Sequence, residues 1–258
     1  MQKIILSGCG GHMGRTIADL CADSDRQTIV AGFDIRPPDG ASFPTFSDPM
    51  QYDGPADVVV DFSHPGFLTS LLFYCSKRRL PLVLCTTGYS EGQLEEIRRA
   101  SEQFPIFRSA NMSLGINVMI ELCRQATLLL GPDWDIEILE AHHRRKLDAP
   151  SGTALMLADG IRDVREGETR YVYERQSVRH PRERDEIGIS ALRGGTITGE
   201  HTVLFAGENE TLSLHHSAQS RAVFAAGALR AASYLCGVTE PGLYTMQDLV
   251  AAVLGKST

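Results

Sequence analysis

The sequence predicts an α/β protein in two parts: a parallel sheet covered by helices, then an α+β region built on a mixed, largely antiparallel sheet. Three observations lead there. Short apolar strands alternate with helical segments through the first third of the chain. A glycine-rich turn, SGCGGHMGRT at 7–16, separates the first strand from the first helix. Near residue 112 the βαβ rhythm breaks, and strands separated only by turns follow further on.

Taken in order, KIILS is the first strand, and GRTIADLCAD carries the apolar spacing of a helix. TIVAGFD and ADVVVDFS are strands, GFLTSLLFYCSKR a helix, LPLVLCTT a strand and EGQLEEIRRASEQ a helix. Around PIFRSANMSLGINVM the pattern changes, and a helix is expected over residues 115–130. DIEILEAHH reads as a strand, HHRRKLDAPSG as a loop and TALMLADGI as a helix. YVYERQSV, IGISALRGG, TITGEHTVLFAG and ETLSLHHSA read as consecutive strands, before SRAVFAAGALRAASYLCG returns to a helical period.

Composition narrows the classes of function. With 258 residues, 43% of them hydrophobic and 22% charged, the chain suits one large domain or two smaller ones. Its net charge of −7 argues against nucleic-acid binding, which depends on neutralising phosphates. No apolar stretch reaches the roughly 20 residues that span a bilayer, so no membrane partner is expected and the cytoplasm is the expected location. The six cysteines are scattered, with no CxxC pair, and imply neither a disulfide framework nor a structural metal.

Gly8, Gly11 and Gly14 stand between a strand and a helix. Glycines there let the backbone turn sharply and approach a pyrophosphate, which then sits at the positive end of the helix dipole. TIVAGFD ends at Asp34, 20 positions beyond Gly14. A carboxylate at that distance accepts hydrogen bonds from an adenosine ribose and repels a 2′-phosphate. Arg36 offsets part of that repulsion, so the expected cofactor is NADH or NADPH, with NADH favoured or dual use.

EAHHRRKLDAPSGTA, residues 140–154, crowds two histidines, two arginines and a lysine at the end of a strand, just before a helix start at Pro150, Ser151 and Gly152. Unpaired helix N–H groups beside cations suit an anion such as a carboxylate. Neighbouring cations also disfavour a lysine ammonium, and histidine titrates near neutral pH, so either side chain is a candidate proton donor. A zinc site is not expected, because neither His142–His143 nor His215–His216 has the i, i+4 spacing of HExxH. His215 and His216 fall in an alternating strand and read as structural.

These motifs resemble those of the 4-hydroxy-tetrahydrodipicolinate reductases, long called dihydrodipicolinate reductases, a bacterial family of the diaminopimelate route to lysine. The resemblance spans nearly the whole chain. It rests on GCGGHMGR, VVVDFSHP, CTTGY, SANMSLGINV, the signature EAHHRRKLDAPSGTA, LRGGTITGEHTVLF and FAAGALRAA. It implies a Rossmann-like dinucleotide-binding domain at 1–112 and 218–258, and an inserted substrate-binding and oligomerisation domain at 113–217 that joins a homotetramer. The implied reaction is hydride transfer from NADH or NADPH to a small cyclic, unsaturated dicarboxylic imine, giving tetrahydrodipicolinate.

Matched by motif position, His142 and Lys146 correspond to the residues proposed for proton donation. His143, Lys146, Gly152 and Thr153 correspond to those that hold the substrate carboxylates. On the cofactor side the resemblance implicates Gly8, Gly11, His12, Met13 and Gly14 in the phosphate loop and Asp34 at the ribose. Phe62, Thr86, Thr87, Gly88, Ser109, Ala110, Asn111 and Met112 match other cofactor-facing segments. The family often has arginine where this chain has His12 and Ile35, which weakens two expected contacts to a 2′-phosphate. Two other readings stand beside this one. A thioester-forming dehydrogenase of the aspartate-semialdehyde type needs a reactive cysteine, and Cys123 sits in the apolar helical run VMIELCRQATLLL. A non-catalytic NAD(H) sensor has no need of the acid beside the anion site in HHRRKLDAPSGT.

Overall fold

In the computed structural model, which describes residues 1–38 and 40–255, the chain opens with β1 (Gln2–Ser7), α1 (His12–Ala22), β2 (Gln27–Phe33) and β3 (Thr45–Phe46). It continues through β4 (Val58–Asp61), α2 (Leu68–Arg78), β5 (Leu82–Leu84), α3 (Glu91–Ser101) and β6 (Pro105–Arg108). Next come α4 (Leu114–Leu130), β7 (Asp135–His142), α5 (Gly152–Arg162), β8 (Arg170–Val172), β9 (Glu186–Arg193), β10 (Gly199–Ala206) and β11 (Thr211–Ala218). The chain ends with α6 (Ala222–Leu235), β12 (Gly242–Tyr244) and α7 (Met246–Val253).

Two units divide these elements: Met1–Ser113 with Ala222–Thr258, and Leu114–Arg221. The first holds a seven-stranded sheet in the order β12-β6-β5-β4-β1-β2-β3, with every pairing parallel. β4 and β5 are buried at every position, which explains why VVVD and LVL read as continuous rather than alternating apolar runs. Ile5, Phe33, Val59, Leu71, Tyr74 and Leu82 belong to its main core cluster. Serine and glutamine begin α3 with a reciprocal capping box, Ser90 with Gln93, and Lys77 and Arg78 close α2 at the negative end of its dipole. The strand order turns around at β1, which has β2 on one side and β4 on the other, so the sheet opens a crevice beyond the carboxyl ends of these strands.

The second unit carries a five-stranded sheet in the order β11-β10-β7-β9-β8. It is mixed: β10 is antiparallel to β7 and β11, whereas β9 is parallel to β7 and β8. β10 alternates strictly, with Gly199, His201, Val203 and Phe205 facing inward. Val203 and Phe205, with Ile136, Ile138, Ile187 and Ile189, pack with Ile116, Ile120, Leu157 and Ile161 of α4 and α5. One expected strand is shorter than its sequence suggests. YVYERQSV ends its ladder at Val172, and Arg175 turns instead to side-chain partners, Glu186 at 2.5 Å and Glu137 at 2.7 Å. β3, β12 and α7 have no counterpart among the elements expected from the sequence; strands as short as β3 and β12, of two and three residues, carry no measurable period.

Candidate functional site

In the first unit, the residues singled out for a dinucleotide all follow the carboxyl ends of strands. Gly8–Gly14 follow β1, Asp34 follows β2, Phe62 follows β4, Thr86–Gly88 follow β5, and Ser109–Met112 follow β6. Gly8 has φ +79°, and a Cβ there would lie 2.5 Å from the Phe62 carbonyl oxygen, so only glycine fits the turn. Its N–H donates to the Phe33 carbonyl at 2.7 Å. A Cβ on Gly14 would strike the Cys9 backbone, so this glycine lets α1 start hard against the loop. Gly11 is the N-cap of α1, with no side chain to cap the first turn and no acidic residue within it. Such a helix start accommodates phosphate oxygens on its backbone N–H groups.

Asp34 borders the same loop. Its Oδ2 accepts from Gly10 N at 2.9 Å and its Oδ1 from Arg36 N at 3.0 Å, which orients the carboxylate while leaving further lone pairs on each oxygen. Gly8, Gly11, Asp34, Ile35, Phe62, Ser63, His64 and Phe67 line a cavity of about 210 Å³. His12 is exposed, and Met13 half-buried, in the first turn of α1. Gly88 has φ +81°, Ser109 Oγ donates to the Asn111 carbonyl at 3.2 Å, and Asn111 Oδ1 accepts from Ser113 N at 2.8 Å. These glycines form a cradle that any side chain would fill, a fit for a pyrophosphate-bearing dinucleotide.

In the second unit, β7 delivers Glu140 and His142 to the same sheet face, two residues apart. Glu140 is fully buried, and its carboxylate takes His142 Nδ1 at 2.6 Å, Ser151 N at 2.9 Å, and Arg193 Nη1 and Nη2 at 2.8 and 2.7 Å. Burial alone would push this carboxyl up. The hydrogen bonds from Arg193, His142 and Ser151 outweigh it and hold Glu140 below its ordinary value. An ionised carboxylate only accepts, so His142 carries a proton on Nδ1, which leaves Nε2 as its second ring nitrogen, beside Gly199.

Beyond His142 the chain turns tightly, with Lys146 N donating to the His143 carbonyl at 3.1 Å. Lys146 Nζ lies 2.9 Å from Asp148 Oδ1, so a carboxylate offsets the surrounding positive charge. The unrelieved cation cluster expected from the sequence is thus tempered by its own neighbour. Ser151 caps α5, accepting from Ala154 N at 3.2 Å, and a Cβ on Gly152 would meet open space. Gly152 and Thr153 therefore begin a helix whose mouth has room beside it. His143 is half-buried, and its Nδ1 has no hydrogen-bond partner among the described residues.

The sequence pattern does not single out three members of this cluster: Glu140, Arg193 and His201. Glu140 was legible in principle, since it shares the face of His142 by strand parity. Arg193 was not: it is paired with His142 across the β7–β9 ladder, 51 positions away in the chain. Ser151 Oγ lies 3.0 Å from His201 Nε2, and the His201 ring stacks edge-on to His142 with centroids 5.2 Å apart. Burial first, then the neighbouring His142, depresses His201 to about 4. The unfolded chain, with an ordinary value of 6.5, binds that proton more readily. Stability from this site is therefore whole above pH 6.5 and drains away as the pH falls toward about 4. Thermal unfolding across that window should show a drop of about 3 kcal/mol that His201→Phe largely removes. An unchanged pH profile in the variant would contradict the assignment.

His216 is paired with His201 across β10–β11, and His215 Nδ1 lies 2.9 Å from Thr202 Oγ1. Cys123 is fully buried, and burial pushes its thiol up to about 12, which leaves no reactive thiolate for thioester chemistry. Among the described residues, no helix is long and apolar enough to cross a membrane.

Comparison with known proteins adds independent information. The family model described as dihydrodipicolinate reductase, N-terminus, matches residues 2–112, and the corresponding C-terminus model matches residues 115–250. The chain is 50% identical to a 4-hydroxy-tetrahydrodipicolinate reductase of Caldanaerobacter subterraneus, over 97% of this chain and 98% of that protein. It is 47% identical to one from Clostridium novyi, over 97% and 98%. A solved dipicolinate-bound dihydrodipicolinate reductase from Paenisporosarcina has the same fold, with a TM-score of 0.79 at 23% identity, over 95% of this chain and 97% of that one.

Proposed function

Because the chain belongs to the dihydrodipicolinate reductase family, we propose that it reduces 4-hydroxy-tetrahydrodipicolinate to tetrahydrodipicolinate, with loss of water, using a nicotinamide dinucleotide. The observation that carries this reading is the Glu140–His142 pair, held by Arg193 beside the cationic turn and open helix start at 143–153. A sensor would have no use for an oriented acid there.

The glycine cradle of 8–14, Asp34, Phe62, Thr86–Gly88 and Ser109–Met112 hold the dinucleotide, which supplies a hydride when bound. His143, Lys146, Gly152 and Thr153 hold the two carboxylates of the substrate through charge and helix-start N–H groups. Hydride addition to the conjugated ring leaves an electron-rich, enamine-like carbon. The Lys146 ammonium, or His142 as the imidazolium with its Nδ1–H held on the Glu140 carboxylate, delivers the proton that completes reduction.

Asp34 governs cofactor choice in favour of NADH. Its carboxylate repels a 2′-phosphate, and His12 and Ile35 stand where the family often has arginine. Initial rates of NADH and NADPH oxidation are expected to favour NADH, and Asp34→Ala is expected to shift the ratio toward NADPH by about tenfold. A ratio unmoved by the substitution would remove Asp34 from this role. The second unit also supports assembly into a homotetramer: Leu139 and Leu192, on adjacent strands of its sheet, are 44% and 54% exposed and suit the same surface of a second copy.

A further inference from the structure

Asp61, the last residue of β4, is 2% exposed and belongs to none of the contacts assigned above. Its Oδ1 accepts from Ser63 Oγ at 2.5 Å and Ser63 N at 3.2 Å. Its Oδ2 accepts from Thr86 Oγ1 at 2.7 Å, with Tyr89 Oη at 3.5 Å. The carboxylate is therefore the link between two loops that leave neighbouring strands of one sheet: Phe62–His64 after β4 and Thr86–Tyr89 after β5. Phe62, Ser63 and His64 form one wall of the 210 Å³ cavity shared with Gly8 and Asp34. The Phe62 carbonyl is also the atom that excludes a side chain at Gly8.

A buried charge is costly unless its acceptor capacity is used, and the donors here are hydroxyls and an amide rather than a cation. Burial pushes the Asp61 carboxyl up, opposed by the hydrogen bonds from Ser63 and Thr86. A simpler apolar contact would fill this space as well, so the feature that needs explaining is why two cofactor-facing loops are tied through one acceptor.

We propose that Asp61 is a positioning residue for the dinucleotide, holding the Phe62–His64 wall and the Thr86–Tyr89 loop in mutual register through its two carboxylate oxygens. The inference rests on the dinucleotide reading of the first unit. Asp61 acts through Ser63 and Thr86, so its effect runs through the same hydroxyl that Thr86 supplies. An asparagine retains the shape but only one acceptor oxygen, and breaks one side of the link.

The test is fluorescence titration of the full chain with NADH, alongside melting curves, for Asp61→Asn, Thr86→Val, Thr86→Ser and the Asp61→Asn/Thr86→Val double variant. Asp61→Asn and Thr86→Val should each weaken NADH binding by about tenfold. The double variant should lose about tenfold, not the hundredfold of independent effects, because both substitutions cut one link. Thr86→Ser should recover most of what Thr86→Val loses. A merely structural aspartate would lower the melting temperature and leave the NADH affinity of the folded protein alone, and that result overturns the inference. Should Asp61→Asn fail to fold, Thr86→Val with unaltered affinity overturns it equally. A wild-type chain that binds no NADH overturns the dinucleotide reading and this inference together, whereas wild-type binding with additive losses overturns this inference alone.

Discussion

Lys146→Ala is expected to lower turnover by at least about a hundredfold while leaving NADH affinity within about twofold of the wild type. The expectation follows from the separation of roles along the chain. Every residue assigned to the cofactor lies in the first unit and follows a parallel strand, whereas Lys146 lies in the second, in the turn closed by its own N–H on the His143 carbonyl. Its ammonium is paired with Asp148 at 2.9 Å, an exposed carboxylate that an incoming dianion can displace. Removing it takes away both a substrate contact and a candidate acid, so dipicolinate, a stable diacid probe, should bind more weakly as well. Steady-state kinetics and direct titration with NADH check the split. Equal losses of turnover and NADH affinity would contradict the division into cofactor and substrate residues.

Glu140→Ala is expected to cost about 3 kcal/mol of stability, because it leaves the Arg193 guanidinium, Ser151 N and His142 Nδ1 without their shared acceptor in a dry site. All four contacts to this carboxylate lie between 2.6 and 2.9 Å, so no single partner can be lost without disturbing the rest. Glu140→Gln separates stability from chemistry. The amide preserves the volume and one acceptor, so the protein should fold, but His142 loses its tautomer control and turnover should fall by about tenfold or more. Chemical denaturation of the alanine variant and kinetics of the glutamine variant test the two effects. A glutamine variant with wild-type turnover would leave Glu140 a purely structural residue.

What was legible in the sequence was what is local in the chain. Gly8, Gly11 and Gly14 sit within seven positions of one strand–turn–helix unit, and two of them must be glycine because backbone comes close: the Phe62 carbonyl at Gly8, and the Gly8 and Cys9 backbone at Gly14. The signature 140–154 likewise runs continuously from β7 through its turn into α5. The missing parts depend on register. Arg193 meets Glu140 because β9 lies parallel to β7, a pairing that a row of apparently consecutive strands does not reveal. His201 reaches Ser151 from β10, and Asp61 reaches Thr86 across β4 and β5. A buried polar residue in an apolar strand, as in VVVDFS, is the one signal in the sequence that could have pointed to Asp61.

The central claim is tested most directly by the initial rate of reduced-nicotinamide oxidation with freshly generated 4-hydroxy-tetrahydrodipicolinate. The account predicts oxidation that depends on the substrate and is faster with NADH than with NADPH. Folded protein that binds NADH but oxidises neither cofactor when the substrate is present would contradict it.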